Sequence, residues 1–310
     1  MGERGWPTRP SKPLKSHTGT VNAVRFNRSG QYCASAGADK TVRLWNPHKQ
    51  LLVKTYSGHG YEVADVTISR DNNSFASCGG DKLVFLWDVA SGKTMRRFGG
   101  SRDGGHNGRM NCVSFCGMDD SLLVTGSYDT TLKFWDVRSR SLEPVQTLTG
   151  AKDSVSSIGV RGHLVLSASV DGAARVHDVR TGTITVDHIG SPLVDARFSS
   201  DGNCLLAASL DETVRLLDMA TGEVLALYQG HSNSQFRLEC SLLHDDSIVV
   251  CGSEDGRVAL WDIVQTEKEP KSFRKAHEKS VSSISVHPTR REFLSAAQDG
   301  SIVLWKPPGD

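Results

Sequence analysis

No stretch of the 310-residue sequence supplies the roughly 20 consecutive apolar residues that a membrane-spanning helix needs. The opening Met1-Gly-Glu-Arg-Gly-Trp-Pro7 lacks the apolar core of a secretory signal. Trp6 stands where a myristoylation motif on Gly2 needs Ser or Thr. Neither sign of charge dominates: 36 Lys plus Arg face 35 Asp plus Glu, a net charge of +1. The basic footprint of a general nucleic-acid binder is therefore missing. Cysteine is sparse, seven in all, an odd number without a disulfide framework. Cys112 and Cys116 are four apart, which is not a zinc-finger spacing. These absences lead us to expect a soluble cytoplasmic and nuclear protein with reduced thiols, no metal, no cofactor and no membrane partner.

What the sequence does have is a period. In Ser127-Tyr-Asp-Thr-Thr-Leu-Lys-Phe-Trp135-Asp136 an Asp-bearing turn leads through a short strand pattern into Trp-Asp. The same six-residue step separates Asp39 from Trp45, Asp81 from Trp87, Asp171 from His177, Asp211 from Leu217, Asp255 from Trp261 and Asp299 from Trp305. Successive landmarks lie 42, 48, 42, 40, 44 and 44 residues apart. This period and signature match the WD-repeat unit, one four-stranded blade of a β-propeller. The expected fold is all-β, a seven-bladed WD-repeat propeller spanning residues 11–306. Residues 1–10 are expected to be a flexible arm and 307–310 a tail.

After Trp305 too little chain remains for a fourth strand in the last blade. Pro13-Leu14-Lys15 precedes Ser16-His17 as Thr55-Tyr56 precedes Gly58-His59. The N-terminal segment is therefore expected to complete the last blade and close the ring, leaving no pairing edge at the seam. The 48-residue spacing comes from Gly99–Arg109, a glycine-rich connection expected to be mobile. Ser91-Gly-Lys-Thr94 resembles the end of a phosphate-binding loop, but Trp87 replaces the upstream Gly and Thr181-Gly and Thr221-Gly occupy the same repeat position. It reads as a hairpin turn.

Five repeats place a His 22 to 24 residues before their Asp: His17, His59, His106, His231 and His277. Four residues before the Asp stands Ser35, Ser77, Thr125, Ser167 or Ser295. Ser, His and Asp together suggest a nucleophilic triad. An active site, however, is assembled once, and this set recurs around the ring. The expected role is a structural relay from Asp through His and the hydroxyl to the indole. It is expected in His17/Ser35/Asp39/Trp45, His59/Ser77/Asp81/Trp87, His106/Thr125/Asp129/Trp135 and His277/Ser295/Asp299/Trp305, and in part in His231/Asp255/Trp261, where Cys251 stands in the sixth repeat. Repeats four and five, with Ala151, His177, Ala207 and Leu217 at relay positions, are expected to have lost it together. No asymmetric constellation of acid, base or ligand suggests an enzyme.

Several stretches go beyond the generic repeat. Tyr56-Ser-Gly-His-Gly-Tyr-Glu-Val63, Ser77-Cys-Gly-Gly-Asp-Lys82, Glu143-Pro-Val-Gln-Thr-Leu148 and Ser209-Leu-Asp-Glu-Thr-Val-Arg-Leu-Leu-Asp218 resemble the mitogen-activated protein kinase organizer family, from about residue 14 to 306. That resemblance implies a non-enzymatic adaptor, monomeric on its own within larger complexes. Its implied partners are spliceosomal proteins or kinase-cascade components. A partner is expected at the mouth of the central channel, with Tyr61, Glu62, Arg109, Asn111, Tyr128, Phe236, Arg237, Glu254 and Gln298 as candidate contacts. The alternative rests on Trp135-Asp-Val-Arg138, which resembles the motif of propellers serving as substrate receptors of cullin-based ubiquitin ligases.

Overall fold

The computed structural model describes residues 5–15, 17–100, 104–117, 119–264 and 269–308. The fold is seven antiparallel sheets, six of them meanders of four consecutive strands running outward from the centre and the seventh three C-terminal strands joined by two short N-terminal ones. The innermost strands are Val21–Phe26, Val63–Ile68, Met110–Cys116, Val155–Arg161, Leu193–Phe198, Cys240–Leu242 and Val281–Val286. The described fold is the all-β seven-bladed propeller that the period predicts.

Ring closure follows the predicted route. Leu14 and Lys15 pair with Ile302 and Ser301 of the last blade. The closing segment, however, starts earlier than expected. Arg9 and Pro10 pair with Lys306 and Trp305, and Trp6 packs against the apolar cluster that joins the last two blades. Lys271 lies 5.8 Å over the Trp6 ring. The described part of residues 1–10 is thus joined to the propeller. Tryptophan has enough apolar surface to be worth burying even in a proline-rich segment. Residues 1–4 and 309–310 lie outside the described residues, as do 101–103 in the expected mobile loop. The described remainder of that loop is anchored through buried His106.

The apolar core is divided among seven clusters, one at each blade junction. Trp87, for example, packs among Tyr56, Val66 and Phe75 between blades 1 and 2. Each landmark Trp faces the preceding blade, so one indole fastens two sheets by apolar burial, and burying such a ring contributes several kcal/mol relative to Ala, roughly 3–5. Six of the seven innermost strands carry a β-bulge immediately after their first residue. A bulge re-aims the side chains that follow it. Here it sets the third residue of each inner strand towards the next blade.

Candidate functional site

The loops entering the innermost strands and the Asp-bearing turns share one rim, and the predicted residues fall there in two depths. The buried set is the relay. In blade 2 the Trp87 indole donates to Ser77 Oγ at 2.9 Å, Ser77 Oγ donates to His59 Nε2 at 2.7 Å, and His59 Nδ1 donates to Asp81 at 2.7 Å. The carboxylate can only accept, so the imidazole proton sits on Nδ1, and Nε2 of the neutral ring accepts the Ser proton while the same oxygen accepts from the indole. Blade 1 repeats this through Trp45, Ser35, His17 and Asp39, and blade 3 through Trp135, Thr125, His106 and Asp129. Although burial acts the other way, the imidazole and Thr131 hydroxyl bonds hold Asp129 well below the usual carboxylate range.

Blade 7 inserts an extra member. His277 Nδ1 donates to Ser301 Oγ at 2.7 Å, and that hydroxyl donates to Asp299 at 2.5 Å. His277 Nε2 and the Trp305 indole meet at Ser295 as elsewhere. The proton order is that of a nucleophilic triad. Yet Ser35, Ser77, Thr125 and Ser295 are fully buried, each with its oxygen capped by an indole N–H. Such a hydroxyl gives its proton to the imidazole, accepts from the indole and has no access to a substrate. These sets are fastenings.

Blade 6 overturns the expected relay. His231 and Asp255 do not meet there. Neither ring nitrogen of His231 has a partner among the described residues, although the ring is buried. Asp255 turns outward to Arg257 at 3.4 Å. The Trp261 indole donates to the Gln229 carbonyl instead. The cause is Cys251 at the hydroxyl position, because a thiol is a poor bridge between two ring nitrogens. Blades 4 and 5 also differ from expectation, since losing His did not idle the Asp. Arg175 grips Asp171 with both terminal nitrogens, at 3.1 and 2.7 Å, and Arg215 grips Asp211 at 3.1 and 2.6 Å. Against the effect of burial, these forks pull both carboxyls down to about 2.

Closer to the axis lies a second network that the period did not reveal. The third residue of four inner strands, and Glu239 just ahead of the short Cys240–Leu242 strand, accept a backbone N–H from the next blade. Asp65 accepts from Val113, Ser157 from Ala196, Asp195 from Cys240, Glu239 from Ile284, and Ser283 from Val24. Ala23 and Cys112 hold the same position without an oxygen. Three guanidiniums balance the three acids. Arg25 clamps Glu239 with both nitrogens at 2.7 and 2.8 Å and reaches Asp65 at 2.8 Å, Arg197 bonds Asp195 at 3.2 Å, and Arg237 reaches Glu239 at 3.4 Å. Burial raises the Glu239 pKa, but Arg25 and Arg197 outweigh it and keep the carboxyl ionised. The signal was visible as polar residues at one inward position, but the bulge shifts the alternation that a plain strand reading follows.

At the mouth above this network is a cleft of about 240 Å³ bordered by Glu62, Arg109, Asn111, Phe236, Arg237 and Gln298. Three of the predicted contacts are already engaged. Arg237 spans the opening to donate to the Asn111 carbonyl at 2.8 Å, Asn111 bridges to Val155 of the next blade, and Glu254 accepts the N–H groups of Ser234, Gln235 and Phe236. They shape the rim. Phe236, at 41% exposed, Tyr61, at 64%, and Tyr128, at 61%, present open aromatic surface. Lys40 lies 5.9 Å from the Tyr61 ring centre and Arg109 5.9 Å from that of Tyr128. Arg138 is on the opposite rim, 70% exposed and 3.0 Å from Asp119.

Two other places gather cavity or ligand groups. A larger apolar hollow of about 460 Å³ opens between blades 1 and 2 on the opposite rim, beside Tyr32, Val53 and Phe75. Its Lys54 and Tyr56 polar tips are bonded to the Ala90 and Val89 carbonyls. His48, His287 and Glu292 gather within 4.8 Å. His287 Nδ1, however, accepts the N–H groups of Thr289 and Arg290, which leaves the proton on Nε2 and makes the ring a poor ligand there. All seven cysteines are unpaired thiols. Burial pushes Cys112 up to about 12, far from thiolate reactivity.

A family model described as WD domain, G-beta repeat matches residues 8–46, 50–88, 98–136, 142–178, 182–218, 222–262 and 268–306. Each match starts one strand before its blade, and the first begins at the segment that closes the ring. The chain is similar to WD repeat domain-containing protein 83 of Homo sapiens, 46% identical over 303 residues, covering 97% of this chain and 93% of that protein. It is similar to an uncharacterized WD repeat-containing protein of Schizosaccharomyces pombe, 38% identical, covering 92% and 94%. The WD repeat domain-containing protein 83 homolog of Dictyostelium discoideum is 31% identical, covering 95% and 97%.

Proposed function

Because this chain belongs to the WD repeat domain-containing protein 83 family of WD-repeat propellers, we propose that it is a non-enzymatic adaptor. In this reading it assembles proteins on its channel-mouth rim, as a spliceosome-associated component or as a scaffold for a mitogen-activated protein kinase cascade. One observation carries it: the groups that could do chemistry are sealed in repeated fastenings, whereas open aromatic and charged side chains collect at the mouth. Buried aromatics and Arg are the usual anchors once a partner covers them. Similar proteins outside animals favour the splicing role, which needs no animal-type signalling pathway. Both cytoplasm and nucleus suit such an adaptor.

The test is affinity purification with mass spectrometry from nuclear and cytoplasmic extracts, comparing wild type with Tyr61→Ala/Phe236→Ala. Splicing proteins captured by the wild type and lost by the variant support the preferred role, and kinase-cascade proteins support the other. Capture that ignores the variant removes the rim from the proposal. The exposed Arg138 favours one further reading, a cullin-ligase substrate receptor. That reading requires a ligase adaptor to copurify and to be lost with Arg138→Ala.

A further inference from the structure

We propose that the part of the mouth rim formed by blades 1 to 3 binds an extended acidic segment of a partner protein. This rests on the adaptor reading and gives its partner a chemistry.

Lys40 and Lys82 hold the same turn position in adjacent blades, both with left-handed backbone, at φ 67° and 61°. That conformation is uncommon for a non-glycine residue and sets each Lys at the tip of its turn. With Arg109 they make three cations along one arc. Two of them lie beside exposed tyrosine rings, Lys40 at Tyr61 and Arg109 at Tyr128. A ring under a cation holds it in place while its far side stays open to an anion. Lys82 is steadied by donating to the Asn107 carbonyl at 2.6 Å.

Across the mouth the sign reverses. The residue equivalent to Lys40 in blade 5 is Glu212, and blade 6 presents Glu254, with Asp255 beside it paired to Arg257. With a net charge of only +1, this separation is local and orients a ligand rather than attracting every polyanion. Three cations, with Glu62 beside them, suit a few carboxylates better than a run of nucleic-acid phosphates. The two tyrosines add surface for apolar side chains between the acids.

Random-peptide display against the intact protein, followed by fluorescence polarisation of the selected peptides, tests this. Asp- and Glu-rich peptides should be enriched. Their binding should weaken about tenfold or more in Lys40→Glu/Arg109→Glu, a variant checked for an unchanged melting curve. It should weaken to a smaller degree in Tyr61→Ala/Tyr128→Ala, and in the wild type as salt rises. A phosphoserine version of the best peptide that binds more tightly than its Asp version identifies phosphate as the preferred acid and supports the proposal. Selection of neutral or basic peptides, no selection at all, undiminished binding by the charge-reversed variant, or stronger binding of oligouridine overturns it. Cross-linking of copurified partners separates the two levels. Cross-links confined to the opposite rim overturn this proposal and leave the adaptor reading standing, whereas the absence of any copurifying partner overturns both.

Discussion

Blades 2 and 6 end in the same Trp-Asp pair and are fastened differently. In blade 2 one buried hydroxyl serves the His59 ring and the Trp87 indole, and Asp81 completes the chain. In blade 6, Cys251 takes the place of that hydroxyl. His231 and the amide of Asn233 are buried without partners among the described residues, and Asp255 is drawn out to Arg257. The inner strand is also the shortest of the seven, Cys240–Leu242. The difference teaches that the indole-and-carboxylate signature marks a blade but does not guarantee its polar lock. Loss of the central hydroxyl is enough to scatter the rest. The segment from Gln229 to Arg237, freed from the lock, becomes a rim loop that carries Phe236 and is held by Glu254.

This contrast can be broken or sharpened by measurement. The largest effect is expected on the axis, where blade 6 compensates for its weak lock. Glu239→Ala should cost about 3–5 kcal/mol in denaturant unfolding, because Arg25 is left buried with half its partners gone. Next come the Asp-bearing turns. Asp81→Ala should cost about 1–3 kcal/mol. Asp211→Ala should cost less, since its Arg215 fork is partly solvated and screened. Asp255→Ala should cost under about 0.5 kcal/mol. Equal losses at the three sites would refute the distinction.

A pH series addresses the buried rings. Burial pushes His231 and His277 down to about 4, and His177 to about 4 with help from Arg175. Unfolded histidine titrates near 6.5, so below that pH the unfolded chain binds the extra protons. Their contribution is complete above about pH 6.5 and is lost as pH falls towards 4. His231→Asn should flatten the melting temperature across that window relative to wild type. An identical slope counts against an uncompensated ring. One change should be a gain: Cys251→Ser restores the hydroxyl beside His231 and should add a few tenths of a kcal/mol, up to about 1.

The parts of the molecule legible in the sequence are those that repeat at fixed spacing. Seven blades and the closing Leu14–Lys15 pair could be read because strand, turn and landmark recur with nearly one period. The relays of blades 1, 2, 3 and 7 could be read for the same reason, although the part played by the hydroxyl two residues after the Asp, Thr41, Thr131 or Ser301, was not. The axial network could not. Arg25 and Glu239 are far apart in the chain, and what joins them is the curvature of the ring and a bulge that spacing alone does not register. The Arg forks at Asp171 and Asp211 were within reach, since Arg175 and Arg215 follow four residues on. The repeat signature has no place for them, because it marks a blade by its His and not by a cation that could replace it. Trp6 was hidden by a proline-rich context that reads as an arm.

The central claim is that one hydroxyl joins ring and indole into a single fastening. A double-mutant cycle in blade 2, with Ser77→Ala, His59→Ala and both together followed by denaturant unfolding, tests it most directly. Shared bonding predicts a coupling of about 1–3 kcal/mol, with the double variant far less damaged than the sum of the two singles. Strictly additive losses would mean that the two groups act independently and would contradict the account.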